Sequence, residues 1–85
     1  MGKTVFTGSH RILVGALIAA RHELGLNQTQ LGERLGRDQK FVSLVESGQR
    51  RIDVVEFCAY CRALGREPVA FLGSFIAEFE DTHII

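Results

Sequence analysis

The side chains able to do chemistry fall in three places along the 85 residues. Cys58 and Cys61 stand at the CxxC spacing of zinc ligands and redox dithiols. His10, His22 and His83 supply imidazoles, the bases of triad-like hydrolysis. Between Gln39 and Arg51 runs a string of amide, ammonium, hydroxyl and guanidinium donors: Gln39, Lys40, Ser43, Ser47, Arg50 and Arg51. The first two places lead to no reaction. A zinc site needs two more ligands at metal spacing, a dithiol of the thioredoxin kind needs a βαβ frame, and the histidines lack a nucleophile partner in any triad-like arrangement. A glycine-rich phosphate loop is also missing from the sequence. No enzyme activity, metal or cofactor is therefore expected, and the donors of residues 39–51 remain as binding chemistry.

Helices must position them. Ser9 is placed to cap a first helix over about residues 10–24, where Ile12, Leu13, Ala16, Leu17 and Ala20 recur at three- and four-residue spacing up to Gly25. Asn27 caps a second, about 28–35, which turns Leu31 and Leu35 inward and stops at Gly36. Asp38 caps a third, about 39–47, with Val42 and Val45 inward and Gly48 after it. Asp53 opens a fourth whose stripe is Val54, Phe57, Cys58, Cys61 and Leu64, with Gly65 past its end. Two cysteines three apart on such a stripe belong to a core. Pro68 opens a fifth with Val69, Leu72, Phe75, Ile76 and Phe79 apolar. Strand-like alternation is absent, so the fold class is all-α, a single compact five-helix domain over residues 1–85 with its core at about 10–72.

Length and charge bound the function. A chain this short buries roughly 60–65% of its unfolded surface and has room for one core, so a deep catalytic cleft between two domains is not expected. Ten Lys and Arg balance ten Asp and Glu overall, but residues 1–66 hold all ten bases and residues 67–85 hold four acids and no base. The body is basic and the tail acidic, a distribution suited to a polyanionic partner on one side. No apolar run reaches the roughly 18 residues of a membrane span, and no signal-peptide pattern opens the chain, so a cytoplasmic location is expected with the thiols reduced.

Two short helices joined by about three residues, with Gly32 inside the first and Gly36 at its end, satisfy the demands of a tight helix-turn-helix. The small residue admits the second helix at close range, and Gly36 supplies the left-handed turn. The stretch GLNQTQLGERLGRDQKFVSLVESGQRR, Gly25 to Arg51, resembles the helix-turn-helix of the lambdoid-phage repressor and Cro family, the Xre-type regulators. The resemblance covers about residues 10–72 and rests on Gln28, Gly32, Gly36, Val42, Val45 and Glu46-Ser47-Gly48 at these spacings. Arg37 departs from it, standing where the family usually has an apolar residue.

On a wheel at 100° per residue, Val42 and Val45 point inward and Lys40, Ser43, Leu44 and Ser47 outward, with Gln39 and Phe41 at the two rims. Such a face suits the DNA major groove, which accepts one α-helix. Gln39 can read adenine through two hydrogen bonds, Lys40 can donate to guanine, Ser43 can do either, and Leu44 can pack on thymine methyls. The family resemblance implies the same base-contacting positions. Gln28, at the start of the second helix, is expected on a phosphate, a role the resemblance also implies, with Asn27, Ser47, Arg50 and Arg51 as further backbone contacts. The resemblance further implies that Arg21 and Glu46 form a partly buried, structural salt bridge.

After Pro68 the chain carries more apolar surface than one small domain can cover. Phe71, Phe75, Ile76 and Phe79 are accordingly expected to form a homodimer contact, which would make double-stranded DNA with a palindromic site the partner. The acids Glu78, Glu80 and Asp81 would then face away from phosphates. No further domain is expected after residue 72. The competing reading is an antitoxin or adaptor that binds a protein through Phe41, Leu44 or the apolar tail.

Overall fold

In the computed structural model, residues 8–78 are described, and they form five helices: α1 (Gly8–Glu23), α2 (Gln28–Arg34), α3 (Gln39–Glu46), α4 (Val54–Ala63) and α5 (Pro68–Ile76). Each of the last four begins where a side chain takes up a first-turn amide: Asn27 accepts from Gln30 N, Asp38 from Phe41 N, Asp53 from Glu56 N and Glu67 from Ala70 N. At Asn27 and Asp53 the third residue reaches back to the cap's own N–H and closes a capping box, satisfying two otherwise orphaned donors. Ser9 is not a cap. α1 starts at Gly8 and includes it.

The turn between α2 and α3 shows why glycine stands in both its places. Gly36 has φ +69°, and the Arg37 N–H reaches back to Gly32 O at 2.8 Å, closing α2 in a left-handed stop. A Cβ on Gly32 would stand 2.7 Å from the Asp38 carbonyl oxygen, so hydrogen alone lets the start of α3 lie across α2.

Leu17 and Ala20 of α1, Leu31 of α2, Val42 and Val45 of α3, Tyr60, Cys61 and Leu64 around α4 and Phe71 and Phe75 of α5 make one buried cluster. The aromatic rings tie its far side together, Phe57 to Phe71 at 6.2 Å and Phe71 to Phe75 at 5.3 Å edge to face. Tyr60 is completely buried, although the helical stripe read from sequence did not include it. Val54, which that stripe did include, is 77% exposed, and Cys58 is half-buried where Cys61 is fully covered. The stripe of α4 is thus rotated toward Tyr60.

α5 departs further from expectation. Phe71 and Phe75 complete this subunit's own core and are not available to a second copy, while Val69, Leu72 and Ile76 lie outward. An α-helix with apolar residues on both sides buries the side that meets matching rings, here those of Phe57 and its neighbours. Phe79, Glu80 and Asp81 lie outside the described residues; Glu78 is exposed. Among the described residues no helix is long and apolar enough to cross a membrane.

Candidate nucleic-acid interface

The outer surface of α3 follows from its inner one. Val42 and Val45 are buried against α1 and α2, which turns Gln39, Lys40 and Ser47 to solvent and leaves Ser43 and Leu44 half-buried between them. The four residues expected to contact bases therefore share one surface with Ser47, and the start of α2 adjoins it: Gln39 Nε2 donates to Gln28 Oε1 at 2.7 Å. Asn27, beside Gln28, is exposed, with its side-chain oxygen engaged in capping α2. The Ser47 hydroxyl donates to Leu44 O at 3.2 Å.

Phe41 is corrected from the sequence reading. It lies inside, 6% exposed, with its ring 6.5 Å from that of Tyr60. Two guanidinium groups cover it, Arg37 at 4.1 Å and Arg50 at 4.8 Å from the ring centroid. Arg37 stands in place of an apolar residue because its stem and planar head do an apolar residue's covering work while the charge stays wet. Arg37 lies in the turn before the Asp38 cap, outside α3, so no helical spacing in the sequence marked this contact.

Below the surface lies the ion pair that the resemblance implied. Arg21 Nε donates to Glu46 Oε2 at 2.7 Å and Nη2 to Oε1 at 2.9 Å, with the two side chains only 10% and 7% exposed. Nη1 donates to Leu26 O at 2.7 Å, so the same guanidinium also holds the chain between α1 and α2. The hydrogen bond to Glu46, outweighing burial, raises the Arg21 pKa further above its ordinary value. Behind the pair, burial pushes the Tyr60 phenol above its usual range.

Glu46 does more than balance a charge. Its Oε1 also accepts from Gln28 Nε2 at 2.9 Å. An ionised carboxylate accepts only, so Gln28 must turn its NH2 inward and its oxygen outward, and Gln39 must then turn its own NH2 toward that oxygen. The orientation of the outermost amide is set three links away by a buried arginine. Gln39 is left offering an oxygen acceptor and the second Nε2 hydrogen side by side.

Arg50 and Arg51 follow α3. Arg51 is exposed. Arg50 is paired: its Nη1 and Nη2 donate to Glu56 Oε1 and Oε2 at 3.0 and 2.9 Å, with the two side chains 37% and 24% exposed. The sequence reading missed Glu56, which also closes the α4 capping box and whose carboxyl Arg50 holds below its ordinary range.

Residues 12–71 match the family described as helix-turn-helix domain. A solved XRE-family-like protein from Pseudomonas syringae pv. tomato DC3000 is 41% identical, over 82% of this chain and 85% of that one, with a TM-score of 0.78. The chain belongs to the Xre-type helix-turn-helix family. As a member of this family it has the fold of DNA-binding regulators, and α3 is the second helix of its helix-turn-helix. The restriction-modification controller protein C.AhdI from Aeromonas hydrophila is 30% identical over 74% of this chain and 91% of its own, with a TM-score of 0.67. The controller C.Esp1396I, 19% identical over 86% and 95%, shares the fold at a TM-score of 0.77. No curated protein matches the sequence.

Proposed function

We propose that this protein is a sequence-specific transcriptional regulator that works as a dimeric repressor, laying α3 of each copy in the major groove of a palindromic operator. The observation that carries the reading is the ordered amide pair. Gln39 presents an acceptor and a donor together, the complement of adenine N6 and N7, and its orientation is fixed before DNA arrives. Lys40 supplies a donor for guanine, Ser43 an adaptable hydroxyl and Leu44 an apolar surface for a thymine methyl. Gln28, through its backbone N–H at the start of α2, with Asn27, Ser47, Arg50 and Arg51, supplies the backbone contacts, and these set register rather than sequence.

The second copy covers the outer face of α5. Val69 is 75%, Leu72 38% and Ile76 52% exposed, and Leu72 continues into an apolar groove of about 260 Å³ that Leu13, Ile52, Val54 and Phe57 also line. A two-fold contact here would set two recognition helices about 34 Å apart, one turn of B-DNA. The same face supports a second reading, an antitoxin or adaptor that seats a partner protein. Phe41 has no part in that reading, being covered.

Selection of bound duplexes from a random pool by the full chain tests the proposal. The expected outcome is a two-fold symmetric consensus with adenine at the Gln39 position, bound less tightly as salt rises. Lys40→Ala should lose the consensus and keep the melting temperature. A pool that stays random, or sedimentation as a monomer at tens of micromolar while a protein partner co-purifies in equal amount, would favour the adaptor.

A further inference from the structure

Arg50 occupies an unusual position for a residue expected on phosphate. Its guanidinium already has a carboxylate, held in fork-to-fork geometry by Glu56 at 2.9 and 3.0 Å, and it rests on the ring of Phe41 in the first turn of the recognition helix. Three features make that pairing exchangeable where the Arg21 pair is not. The two partners keep 37% and 24% of their side-chain surface in water, so the pair is screened and weak. Glu56 keeps its structural bond when Arg50 leaves, because the Oε1 that accepts from Arg50 Nη1 also accepts from the Asp53 N–H at 2.9 Å and so keeps α4 capped. The Phe41 ring, buried and shared with Arg37, is a fixed seat for the Arg50 head, and a further bond from Nη1 to Arg51 O at 2.7 Å holds that head at the edge of α3 independently of Glu56.

Resting on the DNA-binding reading above, we propose that Glu56 is an internal counterion that occupies Arg50 in the free protein and is displaced by a DNA backbone phosphate. The carboxylate then acts as a competitor built into the fold. It lowers affinity for any duplex by the strength of one exposed ion pair, and it keeps Arg50 ordered on Phe41 in the meantime. A phosphate wins the exchange because it offers the same two-oxygen acceptor within the dense negative field of a duplex.

The test uses the full chain, a fluorescent mixed-sequence duplex of about 20 base pairs, and binding constants measured across a range of salt. Glu56→Gln keeps the capping box, since glutamine closes it as well as glutamate, and removes the competing charge. It should tighten binding about two- to fivefold, the value of releasing one exposed pair. Arg50→Ala should weaken binding and make the slope of log K against log salt shallower by about 0.9, one phosphate's share. In the Arg50→Ala background, Glu56→Gln should bring no gain. Thermal melts of each variant identify any loss of binding that comes from unfolding. An equal gain from Glu56→Gln with and without Arg50, or a slope unchanged by Arg50→Ala, overturns the exchange and leaves DNA binding standing. A parent chain that binds no duplex at any salt overturns the DNA-binding reading, and this inference with it.

Discussion

α3 is flanked by two arginine–glutamate pairs of the same chemistry, one on the side facing α1 and one on the side facing α4. Toward α1, Arg21 and Glu46 are almost wholly covered, and the guanidinium also holds Leu26 O while the carboxylate also holds Gln28. Toward α4, Arg50 and Glu56 are only partly covered. Burial makes the difference. A charge pair taken out of water cannot lose one member without stranding the other, so the inner pair is fixed and can be used to orient Gln28 and Gln39. A pair left in water loses little on parting, so the outer arginine remains free to change partners. Side-chain type alone does not separate a structural arginine from a binding one; coverage does.

The strongest way to break this contrast is Glu46→Ala. It should cost about 3–5 kcal/mol in a urea or thermal melt, because Arg21 is left buried without its carboxylate. A melting temperature within a degree of the parent would mean that the inner pair is as dispensable as the outer. Gly32→Ala comes next. The new methyl meets the Asp38 backbone 2.7 Å away, and backbone yields less than a flexible side chain, so a loss of about 1–3 kcal/mol is expected with α3 displaced. Gln39→Ala should leave stability unchanged and cost about 1–3 kcal/mol of discrimination at one base position, read by comparing selected duplexes with single-base variants. Arg50→Ala should change stability by no more than about 1 kcal/mol, the ceiling for a half-exposed pair.

The smallest effect near neutral pH belongs to the cysteines and sharpens the same point about coverage. Cys61 is fully buried, and burial pushes its thiol up to about 11 from an ordinary 9.0, so iodoacetamide should modify Cys58 first and Cys61 only on unfolding. A thiol kept neutral by the fold stabilises the native state below the unfolded pKa. Stability should therefore fall as pH rises from about 9.0 through about 11, where the unfolded chain ionises first. Flat urea midpoints over that range would contradict it.

Helix starts and stops were legible because caps and glycine turns are local events. Asn27, Asp38 and Asp53 each bond an amide three residues on, and the glycines at 25, 36, 48 and 65 all take positive φ. The outward set Lys40, Ser43, Leu44 and Ser47 was legible for a related reason, since two valines facing inward fix the angle of every other residue on an eight-residue helix. Phe41 was misplaced because a wheel gives direction and not cover, and what covers this ring is a pair of arginines, one from before the helix and one from after it. Of the α5 residues expected at a dimer contact, Phe71 and Phe75 were misplaced and Ile76 was not, because that helix is apolar on more than one side and periodicity cannot choose between two apolar faces.

Five helices, four of them capped, the glycine-hinged turn and the polar face of α3 were determined by the sequence alone, through interactions reaching no more than one helical turn. Which aromatic rings are buried, which face of α5 is left over, and which arginine is locked were decided only by the tertiary structure. Each depends on what a residue from another helix covers or pairs with, and water exclusion is a property of the packed whole.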